Sequence, residues 1–187
     1  MTDAVWLRGL PTLSGEAPEF HSLNVPPDPV ALFRNWIAVA AARDIPEPHA
    51  MTLATVDAEG MPDARTLILK DIDERGWAFA GLRRSAAGSQ LAANPVAALA
   101  FWWQPLVRAV RVRGRVVEAS HAECAADLAE RSPAARAGIS ADEWVLWRLV
   151  PERVEFWQGR EDRDHLRLVY QPGEDGWSHQ VLHDALR

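Results

Sequence analysis

Met51-Thr52-Leu53-Ala54-Thr55-Val56, then Asp57-Ala58-Glu59-Gly60, then Ala64-Arg65-Thr66-Leu67-Ile68-Leu69-Lys70: two aliphatic and β-branched runs flank a turn rich in Asp and Gly. So short a connection returns the chain antiparallel, and the spacing predicts a β-hairpin. A second hairpin is predicted from residues 97–103 and 106–118 around Gln104-Pro105. In its second arm Val110, Val112 and Val116 alternate with Arg111, Arg113 and Arg115, so one face is buried and the other is wet or ligand-facing. Residues 77–81 predict a strand after a polar turn over 71–76. Strands near 152–157, 166–171 and 177–182 close the chain, with residues 172–176 turning between the last two.

Helices are fewer. Asp28 as N-cap and Pro29 at the first helical position open a helix over about 29–43, with Val30, Phe33, Ile37 and Ala40 as its apolar stripe. Residues 85–93 predict a short helix ending near Asn94-Pro95, and Ser120 can cap another over 121–130. Many short strands with no βαβ alternation predict a mainly β protein, a small antiparallel barrel with peripheral helices. Residues 1–27 show no sustained period and read as an N-terminal arm, either mobile or draped over a partner; residues 28–187 read as a single domain.

The 187 residues are 48% hydrophobic and 25% charged, enough for one compact core. A net charge of −6 argues against a general nucleic-acid binder, while local basic clusters remain able to hold small anions. One cysteine, Cys124, excludes an intramolecular disulfide, and no apolar run approaches a membrane span or follows a basic leader, so a cytoplasmic protein is expected. Nine tryptophans against one tyrosine suit a core or a dimer interface as well as a ligand site.

For chemistry the informative stretch is Val154-Glu155-Phe156-Trp157-Gln158-Gly159-Arg160-Glu161-Asp162-Arg163-Asp164-His165-Leu166-Arg167. In an extended strand Arg163, His165 and Arg167 share one face, two guanidiniums around an imidazole with Trp157 as a stacking wall. The same spacing also suits a solvated strand edge. Arg65 and Lys70, five apart, serve one ligand only if Lys70 sits at a bend or strand end. No GxGxxG follows a strand, and neither a Walker loop nor a GxSxG elbow is present. His179 and His183 are four apart on a segment that reads as strand and tail, so no metal site is expected, and Cys124 reads as a small packed residue.

Asp28-Pro29 with its helix, Pro48 through Asp57, Arg65 through Lys70, Asp73-Glu74-Arg75-Gly76, Asn94-Pro95 and Val154 through Arg167 together resemble the pyridoxamine 5′-phosphate oxidase family along nearly the whole chain. Ala17-Pro18-Glu19-Phe20 before Pro27-Asp28-Pro29 resembles its phenazine-biosynthesis branch. The resemblance implies an FMN-binding split β-barrel, a homodimer with two clefts between subunits, and hydride transfer from a small-molecule substrate to flavin, which oxygen then reoxidises. It implies cofactor contacts from Arg65, Thr66, Leu67, Lys70, Ser85, Trp157 and Arg167. Lys70 and Arg131 are implied at the substrate, with Arg163 and His165 over the reacting side.

Departures from the family pattern shape the expected function. Ser85-Ala86-Ala87 stands where the family has Ser-Arg-Lys for the FMN phosphate, with Arg83 and Arg84 just upstream as replacements in another register. Ala109 replaces a flavin-facing glutamine, Ala80-Gly81 an aromatic-containing segment, and Asp127 a tyrosine. The stretch after Arg131 lacks a serine for substrate phosphate, a Gln-Ser flavin segment is missing, and Val181-Leu182-His183-Asp184 replaces the usual terminus. The leading expectation is an FMN-dependent oxidoreductase of secondary metabolism acting on a cyclic or aromatic substrate other than pyridoxamine phosphate. The rivals are a flavin-free cleft that binds a small molecule, and a reductase using F420 whose acidic tail meets Arg83, Arg84 and Arg111.

Overall fold

The computed structural model describes residues 3–22 and 24–183; the end of the expected single domain, residues 184–187, lies outside the described residues, as does the side chain of His183. The helices are α1 (Asp3–Arg8), α2 (Pro29–Ala42), α3 (Ala86–Ala93), α4 (His121–Glu130) and α5 (Pro133–Arg136). The strands are β1 (Ala50–Val56), β2 (Pro62–Ile68), β3 (Asp71–Asp73), β4 (Gly76–Leu82), β5 (Val96–Trp103), β6 (Arg108–Glu118), β7 (Trp144–Gln158), β8 (Leu166–Gly173) and β9 (Gly176–His183). All pairings among them are antiparallel. The order is β2-β1-β5-β6-β7-β4-β3, and the β8–β9 hairpin branches from β7. This is a mainly β antiparallel architecture with peripheral helices, as the strand pattern predicts, in the split-barrel form that the family resemblance implies.

The interior is aromatic. Phe33 of α2 meets Trp77 at 4.4 Å and Phe101 at 4.9 Å between ring centroids, so the helix is pinned by its apolar stripe to β4 and β5. Asp28 accepts the Val30 N–H at 2.9 Å and Pro29 occupies the first turn, the start signal expected. In β6, Val110, Val112 and Val116 are buried and Arg111, Arg113 and Arg115 exposed. Glu16, Pro18 and Pro26 lie along the domain: Glu16 N–H donates to Pro105 O, Gln158 to Pro18 O, and Tyr170 Oη to Pro26 O at 2.7 Å.

The strand expected over 64–70 is β2 at Pro62–Ile68, α1 lies in the stretch read as an arm and α5 was not expected; two further differences bear on the sheet. The predicted polar turn over 71–76 contains β3, paired with β4. Asp71 and Asp73 are held there by Arg148, a buried guanidinium that also meets Glu123, and a strand stabilised by distant ion pairs has no propensity signal. The strand near 152–157 is the second half of a 15-residue β7 that starts at Trp144 and passes through Pro151. Proline reads as a strand terminator, but here it sits at a register shift: Arg153 faces Arg113 and Pro151 faces Gly114, so Glu152 is an extra residue in β7, and this bulge beside Pro151 accommodates its missing N–H.

α4 starts with a capping box: Ser120 Oγ accepts the Glu123 N–H at 3.3 Å, and the Glu123 carboxylate accepts the Ser120 N–H at 3.1 Å. Ser120→Ala is expected to lower stability by about 1 kcal/mol. A urea midpoint shift at unchanged slope checks it.

Candidate functional site

A cleft of about 330 Å³ is lined by Leu53, Arg65, Leu67, Phe79, Ala80, Gly81, Leu82, Ser85, Ala86, Ala87 and Trp147. Arg65 and Leu67 share one face of β2, while Thr66 points to the other face and is exposed, so the cofactor role expected of Thr66 has no side-chain basis in the cleft. Phe79 and Trp147 face each other across β4 and β7, their rings 6.0 Å apart and nearly parallel. Ser85 caps α3 by accepting the Gly88 N–H at 3.1 Å, and Ala86 and Ala87, whose N–H groups open the helix without intrahelical partners, line the cleft. Glycine at 88 permits this: a Cβ there would strike the carbonyls of Leu82 and Arg83.

Arg65 is the one charged side chain among the described residues lining the cleft. It is oriented by Asp63 Oδ2 at 2.6 Å, Gln90 Oε1 at 2.9 Å and Thr55 Oγ1. The Ala64 N–H, the Gln90 amide and Arg65 hold the Asp63 carboxyl below its ordinary range. Arg83 and Arg84 do not line the cleft; they pair with Glu118 at 2.6 Å and Glu143 at 2.9 Å.

Lys70 lies beyond the end of β2, the position the five-residue offset requires, and donates its backbone N–H to Ala78 O. Its ammonium is 3.5 Å from Asp127 Oδ1. Arg131 ends α4 with its guanidinium over the Trp144 ring, 4.4 Å from the centroid.

The remaining expected residues gather at the other end of β7. His165 lies against Trp157, ring centroids 5.1 Å apart, and its Nδ1 accepts the Arg160 N–H at 3.0 Å. The expected strand face of Arg163, His165 and Arg167 does not form: residues 161–163 turn, Arg163 has φ of 65°, and β8 starts at Leu166. The run Gly-Arg-Glu-Asp-Arg-Asp carries turn formers and charges that stop the chain from extending, a signal outweighed in the reading by the period of two. Arg167 is on β8 and pairs with Glu155, a carboxylate 2% exposed that also takes Arg111 at 2.5 Å and Arg153 at 2.7 Å. Within one chain, therefore, Arg65, Leu67 and Ser85 meet in the cleft; Lys70 and Arg131 gather near α4; and Trp157, His165 and Arg167 lie apart from both.

Phe79, Trp147, Asp63 and Gln90 were not singled out from the sequence. Asp63 was legible, since it sits two residues before Arg65 and so shares its strand face. The others come from elements whose register only the folded sheet defines.

The fold defines the class first: the chain aligns with a crystal structure of PhzG from Burkholderia lata in complex with tetrahydrophenazine-1-carboxylic acid, with TM-score 0.81 at 23% identity over 90% of this chain and 100% of that one. A pyridoxamine 5′-phosphate oxidase-related, FMN-binding protein from Nostoc punctiforme aligns with TM-score 0.65 at 24% identity over 80% and 96%. Sequence then gives the family. Residues 38–158 match the pyridoxamine 5′-phosphate oxidase model and residues 144–183 the pyridoxine 5′-phosphate oxidase C-terminal dimerisation region. A pyridoxine/pyridoxamine 5′-phosphate oxidase of Pseudomonas paraeruginosa is 41% identical over 85% of this chain and 90% of its own, and one of Thermosynechococcus vestitus 38% over 83% and 89%. The chain belongs to the pyridoxamine 5′-phosphate oxidase family.

Proposed function

We propose that the protein is an FMN-dependent oxidoreductase of secondary metabolism, working as a cytoplasmic homodimer on a small cyclic or aromatic substrate other than pyridoxamine phosphate. The observation that carries this reading is the cleft itself: flat apolar walls from Leu67, Phe79, Leu82 and Trp147, with one oriented guanidinium and a helix N-terminus at Ser85. That donor set fits a planar ring with an anionic tail, because backbone N–H groups and the helix dipole bind phosphate where side-chain cations are few. The dimerisation-region match and the separation of Trp157, His165 and Arg167 from the cleft support a site shared between two copies. Trp102, 53% exposed and 6.1 Å from Trp157, gives that region an apolar surface to cover. A single buried thiol, Cys124, suits a reducing compartment.

FMN held in this cleft would supply the redox chemistry, as acceptor of the substrate's hydride and donor of electrons to oxygen. Arg65 and the N–H groups of Ala86 and Ala87, all lining the cleft, would hold its phosphate. His165, its Nδ1 occupied by the Arg160 N–H, presents Nε2 to the substrate, and Arg163 lies on the same turn. Their task is orientation, which hydride transfer needs more than a strong base.

The test is an absorbance spectrum of the purified protein and a titration with FMN, followed by anaerobic addition of cyclic substrates, tetrahydrophenazine-1-carboxylic acid among them. One FMN per chain and bleaching with substrate support the proposal; no saturable flavin would leave a flavin-free binding cleft. His165→Ala is expected to lower kcat about tenfold, the cost of one orienting hydrogen bond of roughly 1.4 kcal/mol, with the melting temperature changed far less.

A further inference from the structure

Lys70, Asp127, Arg131 and Trp144 form a closed cluster beside the cleft. Both oxygens of Asp127, whose side chain is 11% exposed, are engaged: Oδ1 by the Lys70 ammonium at 3.5 Å and Oδ2 by the Trp144 indole N–H at 2.8 Å. The indole belongs to β7 and pairs in register with Leu82, a cleft residue, so the carboxylate is fixed to the sheet. Arg131 lies on the face of the same indole and donates to Ala135 O. Lys70 thus has an internal counter-ion that cannot turn away, and Arg131 is committed to a ring and a carbonyl.

An anion approaching Lys70 meets an ammonium backed by a carboxylate only 11% exposed, whose charge water screens far less than that of Asp63, 52% exposed beside Arg65. A neutral hydroxyl or amine meets the reverse: Lys70 donates to it while Asp127 accepts from it, and neither partner need be displaced. We propose that Asp127 determines substrate class, admitting substrates whose polar end is a neutral hydrogen-bonding group and excluding phosphate esters. This rests on the oxidoreductase reading, which supplies the substrate, and it adds the chemical class at one end of the site.

Isothermal titration of native protein, Asp127→Asn and Asp127→Asn/Lys70→Met with pyridoxine and pyridoxine 5′-phosphate tests it. Asparagine keeps an acceptor for the indole, and circular dichroism checks the fold. Native protein is expected to bind the ester no more tightly than pyridoxine. Asp127→Asn should bind the ester at least tenfold more tightly than native protein does, and Lys70→Met should remove the gain. Native preference for the ester by tenfold or more, or ester binding unchanged or still undetectable in Asp127→Asn, overturns the assignment. Flavin content is read from the absorbance of the same samples, so failure of the flavin reading shows as missing cofactor and failure of this one as the wrong ester response.

Discussion

Glu155→Ala is expected to lower stability by about 3–5 kcal/mol, the largest effect of any single polar substitution considered, because it removes one partner from a buried charge network. Glu155 sits on the inner half of β7 and joins β6 and β8 by taking Arg111, Arg153 and Arg167. Arg111 is mostly exposed and regains water when the carboxylate goes. Arg153 and Arg167, 28% and 26% exposed, regain less, and repulsion between them rises. Urea unfolding at pH 7 gives the magnitude. The pH profile gives the cause. Burial raises the Glu155 pKa, but hydrogen bonds from Arg153, Arg111 and Arg167 outweigh it and hold the group below its usual 4.5. A carboxylate depressed in the folded state contributes stability above its unfolded pKa and loses it as pH falls through the folded value. Glu123, held at about 2 by the Ser120 side chain and N–H and then by Arg75 and Arg148, acts in the same direction. Native protein should therefore weaken progressively below pH 4.5. Glu155→Gln, which keeps the shape, should show a shallower decline over that range; an identical slope would remove Glu155 from the cause.

Arg65→Met is expected to weaken FMN binding about 10–100-fold while changing riboflavin affinity by less than threefold, since loss of a charge-assisted contact costs about 1.5–3 kcal/mol and only FMN carries the phosphate. Two features make the effect large. Arg65 is the one cation among the described cleft residues, and its three partners, Asp63, Gln90 and Thr55, hold it ready and so spare the ligand the cost of ordering a long side chain. Fluorescence titration with both flavins measures it. Equal losses for both would mean that Arg65 supports the cleft walls and does not read the phosphate. Arg83 and Arg84 offer no second route, because each is ion-paired to a carboxylate away from the cleft.

Signals that live within a few residues were legible. The Asp28 and Ser120 caps, the valine–arginine alternation of β6 and the Gln104-Pro105 reversal each state their structure locally, and together they define the antiparallel architecture. What was not legible depends on distant partners. β3 exists because Arg148 reaches it from β7, and β7 continues through Pro151 because its own Glu152 bulges beside the proline. At the site, the shared face of Arg65 and Leu67 follows from the strand period, but the strand expected to run to Lys70 ends at Ile68. The Arg163–His165 turn did not, because a period of two cannot by itself tell a strand from a loop whose alternate residues happen to be basic. The neutralisation of Lys70 by Asp127 needed α4 packed against β7, a contact that no spacing along the chain announces.

β7 is flanked by β6 over residues 147–158, while its other side is covered in two parts, by β4 over residues 144–149 and by β8 over residues 154–158. The β8–β9 hairpin thus does more than carry Arg167 and set Tyr170 against Phe156. It occupies a row of backbone donors and acceptors that would otherwise be open beside some of the most apolar residues of the chain. A shortened chain lacking that hairpin would present a ready template for other molecules to add strands, so the segment also guards the protein against aggregation.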